Sequence, residues 1–247
     1  MTLLYIVGAT LLISLGALIG IFTLSMKEKL LEKIIMKLVA LSSGALLGGA
    51  FIHLMPEGIE KVDDPSTFFL TILIAIISYL LIEKVLHWRH CHKSGDCSVH
   101  SFGYMNLLGD AVHNFIDGLI IASAFVVSIP LGITTTIAIA LHEIPQEVGD
   151  FGVLLYAGFK KKKALLLNFL VALTVVVGGV CGWLLLSKVE AITSFLLPIA
   201  AGGFIYIALS DMIPELRKDH FKGFLQSFVF VILGILIMLA TKVLGGE

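Results

Sequence analysis

The amino-acid sequence predicts an all-α integral membrane protein, an eight-transmembrane-helix bundle. Three observations lead there. Of 247 residues, 58% are hydrophobic and only 14% are charged, against roughly 25% charged in soluble domains, so the chain lacks the polar groups to cover a water-facing surface. The apolar residues gather into runs near the ~20 residues that a helix rising 1.5 Å per residue needs to cross ~30 Å of hydrocarbon. The links between runs are short, so successive helices are antiparallel neighbours, and residues 1–247 form a single membrane domain.

The first run, 3–25, lacks a basic leader or a small-residue cleavage site, so it reads as a span and not a removed signal peptide. The second, 34–55, carries Gly48-Gly49 and leads into His53-Leu54-Met55-Pro56-Glu57. The third, 68–86, precedes a polar loop over 87–102. The fourth and fifth, 103–128 and 131–157, hold ionisable residues inside their apolar length. The sixth, 164–187, follows a lysine run; the seventh, 192–214, contains Gly202-Gly203 and ends in Ser210-Asp211-Met212-Ile213-Pro214-Glu215; the eighth is 222–244.

Basic residues orient these spans, because loops rich in Lys and Arg stay cytosolic. Lys27, Lys29, Lys33 and Lys37, then Lys84, Arg89 and Lys93, then Lys160 to Lys163, then Arg217, Lys218 and Lys222 all fall on one side, fourteen of the 17 basic residues. Only Lys61, Lys188 and Lys242 fall on the other. Both termini are therefore expected outside a cell membrane, plasma or inner. Similar pieces ending runs two and seven, pointing in opposite directions, suggest a 3+2+3 order in which an inverted repeat of three helices flanks runs four and five. Cys91, Cys97 and Cys181 are too few and too scattered for a disulfide framework.

An ionisable group at mid-bilayer costs about 2.5 kcal/mol or more, so such groups are rare and usually functional. Run four reads Asp110-Ala111-Val112-His113-Asn114-Phe115-Ile116-Asp117, and run five His142-Glu143-Ile144-Pro145-Gln146-Glu147-Val148-Gly149-Asp150. Residues three, four and seven apart share a helix face. Asp110, His113, Asn114 and Asp117 thus make one stripe; His142 aligns with Gln146, and Glu143 with Glu147 and Asp150. His113 and His142 each lie about ten residues, roughly 15 Å, into their spans. Pro145 has no N–H, so the Leu141 carbonyl is freed to meet a cation or water. Mixed imidazole and carboxylate ligands suit zinc and its first-row neighbours better than magnesium or calcium. The spacing nominates His113, Asp117, His142 and either Glu143 or Gln146 as ligands, with Asn114 offering an amide oxygen. The bland alternative is a polar network that only glues helices together.

These residues carry a resemblance. Gly109-Asp110 through Gly118, His142 through Phe151, and Gly202-Gly203 through Glu215 look like signatures of the ZIP (Zrt/Irt-like) metal transporters, over nearly the whole chain. The resemblance implies eight spans, both termini outside, and uptake of zinc, iron or manganese into the cytosol. Carried over by position, a primary site would use His113, Asp117, His142 and Gln146, and a second Asn114 and Glu143. Two departures stand out: position 146 is commonly His or Glu in that family, and run six lacks the carboxylate that two-metal members place there. One transported ion within a polar shell is therefore expected.

Matching helices of that family supply a residue that receives incoming metal, so the resemblance assigns His53, near the outer end of run two, to metal entry, the alternative being a snorkelling interfacial histidine. Asp110, Glu147 and Asp150 would continue an acidic exit track. The loop residues His87, His90, Cys91, His92, Cys97 and His100 read as an acceptor or sensor for arriving metal. The expected function is transport of Zn2+, with Fe2+, Mn2+ or Cd2+ possible substrates, without a prosthetic group or nucleic-acid partner, in contact with membrane lipid. Small residues such as Gly178-Gly179 also allow a homodimer. Two rivals remain at this stage: an intramembrane zinc metalloprotease, since His142-Glu143-Ile144-Pro145-Gln146 approaches the His-Glu-x-x-His motif, and a metal sensor built on the loop.

Overall fold

The computed structural model describes residues 1–21, 28–91, 100–218 and 220–245; among them every regular element is a helix. These are α1 (Thr2–Ser14, continued by a 3-10 segment Leu15–Gly20), α2 (Glu28–Gly48), α3 (Met55–Ile59), α4 (Pro65–Cys91), α5 (Ser101–Val127) and α6 (Ile129–Tyr156), then α7 (Lys161–Ala172), α8 (Thr174–Leu184), α9 (Val189–Tyr206), α10 (Ile213–Leu216) and α11 (Phe221–Gly245).

Among the described residues six stretches are long and apolar enough to cross a membrane: Ile34–Ile59, Pro65–Val85, Ser101–Val127, Lys161–Leu184, Leu186–Leu216 and Phe221–Val243. Thr2–Leu18 is apolar but shorter. α6 has the length, 28 residues, but Glu143, Glu147 and Asp150 interrupt its apolar run. The end of run one, 22–25, lies outside the described residues, while run five falls short in polarity.

Local chemistry sets the helix ends. Asp64 accepts from the backbone N–H groups of Ser66 at 3.0 Å and Thr67 at 3.1 Å, and so caps α4 with Pro65 at its first position. Ser128 is extended and accepts from Leu131 N at 3.2 Å, ending α5 and starting α6 within one residue. That single-residue corner forces α5 and α6 side by side. Thr174 donates both to Val171 O at 2.7 Å and to Ala111 O at 3.0 Å, where α7 gives way to α8.

Two π-helical segments share a local order. Gly49–Leu54 joins α2 to α3, and Ile207–Met212 joins α9 to α10; each is followed by a proline in the first turn of the next helix, Pro56 and Pro214. This is the structural counterpart of the sequence likeness between runs two and seven. Such wide turns frequently occur at functional sites.

The packing frames the polar stripes. α5 lies against α8, α6 against α2 and α11, and α4 against α9. The α5–α8 seam is a backbone contact: a Cβ on Gly118 would lie 2.1 Å from Val175 O, and one on Gly178 would lie 2.0 Å from Phe115 O. Only glycine fits there, so the helix carrying Asp117 is pressed onto α8. Leu197, Phe204, Ile207, Ile116 and Phe151 belong to the main buried cluster that closes the interior around the stripes.

Candidate metal centre

The stripes of α5 and α6 face each other. Asp110, His113, Asn114 and Asp117 are buried on α5, as are His142, Glu143, Gln146, Glu147 and Asp150 on α6. His113, Asp117, His142 and Glu143 each offer one ligand atom, all within 4.8 Å of one another. His113 Nε2 lies 3.1 Å from Glu143 Oε1 and 3.7 Å from Asp117 Oδ2; His142 Nε2 lies 3.3 Å from Asp117 Oδ2 and 3.9 Å from Glu143 Oε1. Zinc holds nitrogen and carboxylate oxygen at about 2.0–2.2 Å in a tetrahedron, which spaces neighbouring ligands about 3.4 Å apart. The four distances bracket that edge.

Hydrogen bonding separates this arrangement from helix glue. A structural network satisfies its buried groups. Here the 3.1 Å approach of His113 to Glu143 lacks hydrogen-bond alignment, and both imidazole nitrogens of His113 and both carboxylate oxygens of Glu143 have no hydrogen-bond partner among the described residues. Across the cluster His142 Nε2 and Asp117 Oδ2 are hydrogen-bonded at 3.3 Å, whereas His113 and Glu143 converge without pairing, as ligands awaiting a shared cation would. Phe204 walls the site, its ring centroid 5.1 Å from that of His113.

Asp110 organises the amides. Its Oδ1 accepts from Asn114 Nδ2 at 2.9 Å and from Gln146 Nε2 at 3.2 Å. A carboxylate can accept only from the NH2 end of an amide, so the contact fixes both rotations. The remaining amide oxygens, Asn114 Oδ1 and Gln146 Oε1, have no hydrogen-bond partner among the described residues. A neutral glutamine thereby keeps its oxygen free to ligate at position 146.

Around this core, Glu147 accepts from Asn168 of α7 and Asp150 Oδ1 accepts from Ser42 Oγ of α2 at 3.2 Å. Neither partner belongs to the sequence-derived site. Asn106, buried one turn before Asp110, was equally outside it although it extends the same stripe. On the other flank, the His53 ring lies 5.3 Å from that of His142, and His53 Nε2 meets Met238 O at 2.9 Å. His53 also lines a cavity of about 280 Å³ with Pro56, Glu57, Glu60, Ile120 and Lys242.

The loop is redrawn by the structure. α4 runs through Cys91, so His87, His90 and Cys91 stand on a helix and not in the predicted loop, because nothing in Glu83–Cys91 breaks the helical ladder. His92 and Cys97 lie outside the described residues, as do the side chains of His87, His90 and Cys91. His100 is exposed, its ring 5.7 Å from Phe102 and its backbone N–H donating to Ala157 O at 2.8 Å. Within the described part, the structure brings none of these residues together as a site.

Known proteins resemble this chain over most of its length. A family model described as ZIP Zinc transporter matches residues 1–101 and 89–242. "Zinc transporter ZIP13" of Pongo abelii is 34% identical over 220 residues, 82% of this chain and 65% of that protein. "Zinc transporter YKE4" of Saccharomyces cerevisiae is 29% identical over 238 residues, 81% of this chain and 69% of that protein. "Zinc transporter ZIP10" of Danio rerio is 39% identical over 145 residues, 57% of this chain but 17% of that protein. The chain thus spans about two thirds of the length of the first two relatives, and the family model covers it almost from end to end: it belongs to the ZIP zinc transporter family.

Proposed function

We propose that this protein carries divalent metal cations, zinc foremost, across a membrane into the cytosol. It would do so through one site between α5 and α6, held by His113, Asp117, His142 and Glu143 with amide oxygens of Gln146 and Asn114. The observation that carries this reading is the set of four buried ligand atoms from two adjoining helices within 4.8 Å of one another, with His113 and Glu143 left without hydrogen-bond partners among the described residues. Relatives named as zinc transporters support the choice of zinc.

On this reading the eight apolar runs all span the membrane, with both termini outside and the basic loops in the cytosol. Metal enters through the cavity that holds Glu57 and Glu60, meets His53, and passes to His142 a ring's width away. Release follows the oxygen-rich flank of Glu147 and Asp150 toward Lys160 to Lys163. A conducting site must also let go, so moderate affinity follows from function. Hydrolysis is disfavoured because the His-Glu-x-x-His pattern ends in Gln146, whose amide nitrogen is committed to Asp110.

The test is uptake of zinc by purified protein in liposomes, with cadmium, iron and manganese compared. Time-dependent accumulation that saturates with metal is expected. Tightly retained zinc with no uptake, together with cleavage of a peptide, would replace transport by proteolysis.

A further inference from the structure

The outer cavity contains a charge of the wrong sign for its cargo. Lys242, in the last turn of α11, lines it beside Glu57, Glu60 and His53. Its ammonium donates to the carbonyl of Ile52 at 2.8 Å, inside the π segment Gly49–Leu54. Pro56, four residues on, has no N–H to offer that carbonyl. A lysine from another helix has taken the position where a backbone donor would stand in an unbroken helix.

The same turn of α11 also holds His53, which meets Met238 O at 2.9 Å with Thr241 Oγ1 at 3.4 Å. Met238, Thr241 and Lys242 therefore bind one face of α11 to the π segment at the point where the cavity reaches the site. A divalent ion that moves from the cavity onto His53 passes within reach of the ammonium's field. It also competes with that ammonium for oxygen at the open turn.

We propose that Lys242 is a built-in competing cation of the outer vestibule: held on the Ile52 carbonyl, it weakens capture of incoming divalent metal and so sets the concentration range over which the protein works. This rests on the transport reading above. Repulsion between one fixed positive charge and a divalent ion in a wet cavity is worth about a fivefold change in apparent affinity. The role is electrostatic, so the charge matters more than the hydrogen bond. Glu60, and Glu57 despite its ion pair with Lys61 at 3.0 Å, pull the ion in, while Lys242 keeps it from resting there.

The experiment is zinc uptake in liposomes by wild type, Lys242→Gln, Lys242→Met and Lys242→Arg, with half-saturating zinc and maximal rate read separately. Gln keeps a donor for Ile52 without charge, Met keeps neither, and Arg keeps both. The expected result is a half-saturating concentration lowered about fivefold in both neutral variants and unchanged in Arg, with maximal rate within about twofold of wild type. Loss of rate in Met with normal behaviour in Gln would overturn the proposal, because Lys242 would then serve only to cap the carbonyl. An unchanged half-saturating concentration in all three would overturn it as well. If wild type itself takes up no zinc, the transport reading falls, which is a separate outcome from either.

Discussion

The two flanks of the buried centre differ in ligand chemistry. Toward the cavity that His53 lines, the polar groups are imidazoles: His53, His142 and His113, with Asp117 between the last two. Toward the basic loops they are carboxylates and amides: Asp110, Glu147 and Asp150 with Asn114, Gln146 and Asn168. Imidazole suits zinc and its neighbours, whereas an all-oxygen environment suits harder ions and holds zinc less well. On the proposed transport reading, the contrast would place tighter capture on the nitrogen side and easier release over oxygen.

The harshest way to break that comparison is to remove its nitrogen-rich side. His113→Ala and Asp117→Ala should each reduce zinc uptake by more than about 100-fold, since loss of a mere supporting partner already costs 10–100-fold. Inserted protein with near-normal uptake in both variants would detach the centre from function. Asp110→Ala tests whether the oxygen side helps to build the site and not only to empty it. Freed amides should weaken half-saturation about 10-fold. Adding Gln146→His, whose imidazole needs no fixed amide rotation, should abolish that penalty in the double variant. A penalty that persists in the double variant would assign Asp110 to another role.

Asn168→Ala sharpens the contrast further. If Glu147 serves release, maximal rate should fall about threefold to tenfold while half-saturation barely moves, the reverse of the Asp110 pattern. Behind the site, Gly118→Ala would drive a Cβ to within 2.1 Å of the Val175 carbonyl. Overpacking of this kind costs about 1–3 kcal/mol, so thermal unfolding in detergent should come several degrees earlier. The smallest effect is expected at Asp64, far from both flanks. Bonds from Thr67 and Ser66 hold its carboxyl below the usual range, so its stabilising effect is present above the unfolded value near 3.9 and fades as pH falls through the folded value. Asp64→Ala should therefore lower the unfolding temperature slightly at neutral pH and not at all in strong acid, with uptake unchanged.

What could be read from sequence followed from periodicity. Stripes at three- and four-residue spacing in runs four and five named His113, Asp117 and His142 and left the fourth place open between Glu143 and Gln146; the single-residue corner at Ser128 makes the stripes face each other, with Glu143 in the cluster. Asn106 extends the stripe by one turn and was within reach of the same argument. Asn168 stands alone in Leu165-Leu166-Leu167-Asn168-Phe169-Leu170, where a lone amide is the only signal. Ser42 could not be found, since its neighbour Ser43 shows the ordinary fate of a helix serine, a bond to its own backbone at Ala40 O. The π segments also escaped, because an extra residue in one turn leaves no mark on an apolar run. The 87–102 segment was read as loop from its polarity, yet helix α4 carries through to Cys91.

A π turn holds one residue more than the α turn it replaces, and that surplus has an engineering meaning. In an α-helix each residue turns the chain by about 100°. Six π residues turn the chain about as far as five α residues do, so excision of Phe51 from Gly49–Leu54 would restore ordinary winding and leave the bearing of Glu57 and Glu60 nearly unchanged. The surplus residue loosens one turn only, the one whose Ile52 carbonyl meets Lys242, and a one-codon deletion would close that opening without re-aiming the helix beyond it.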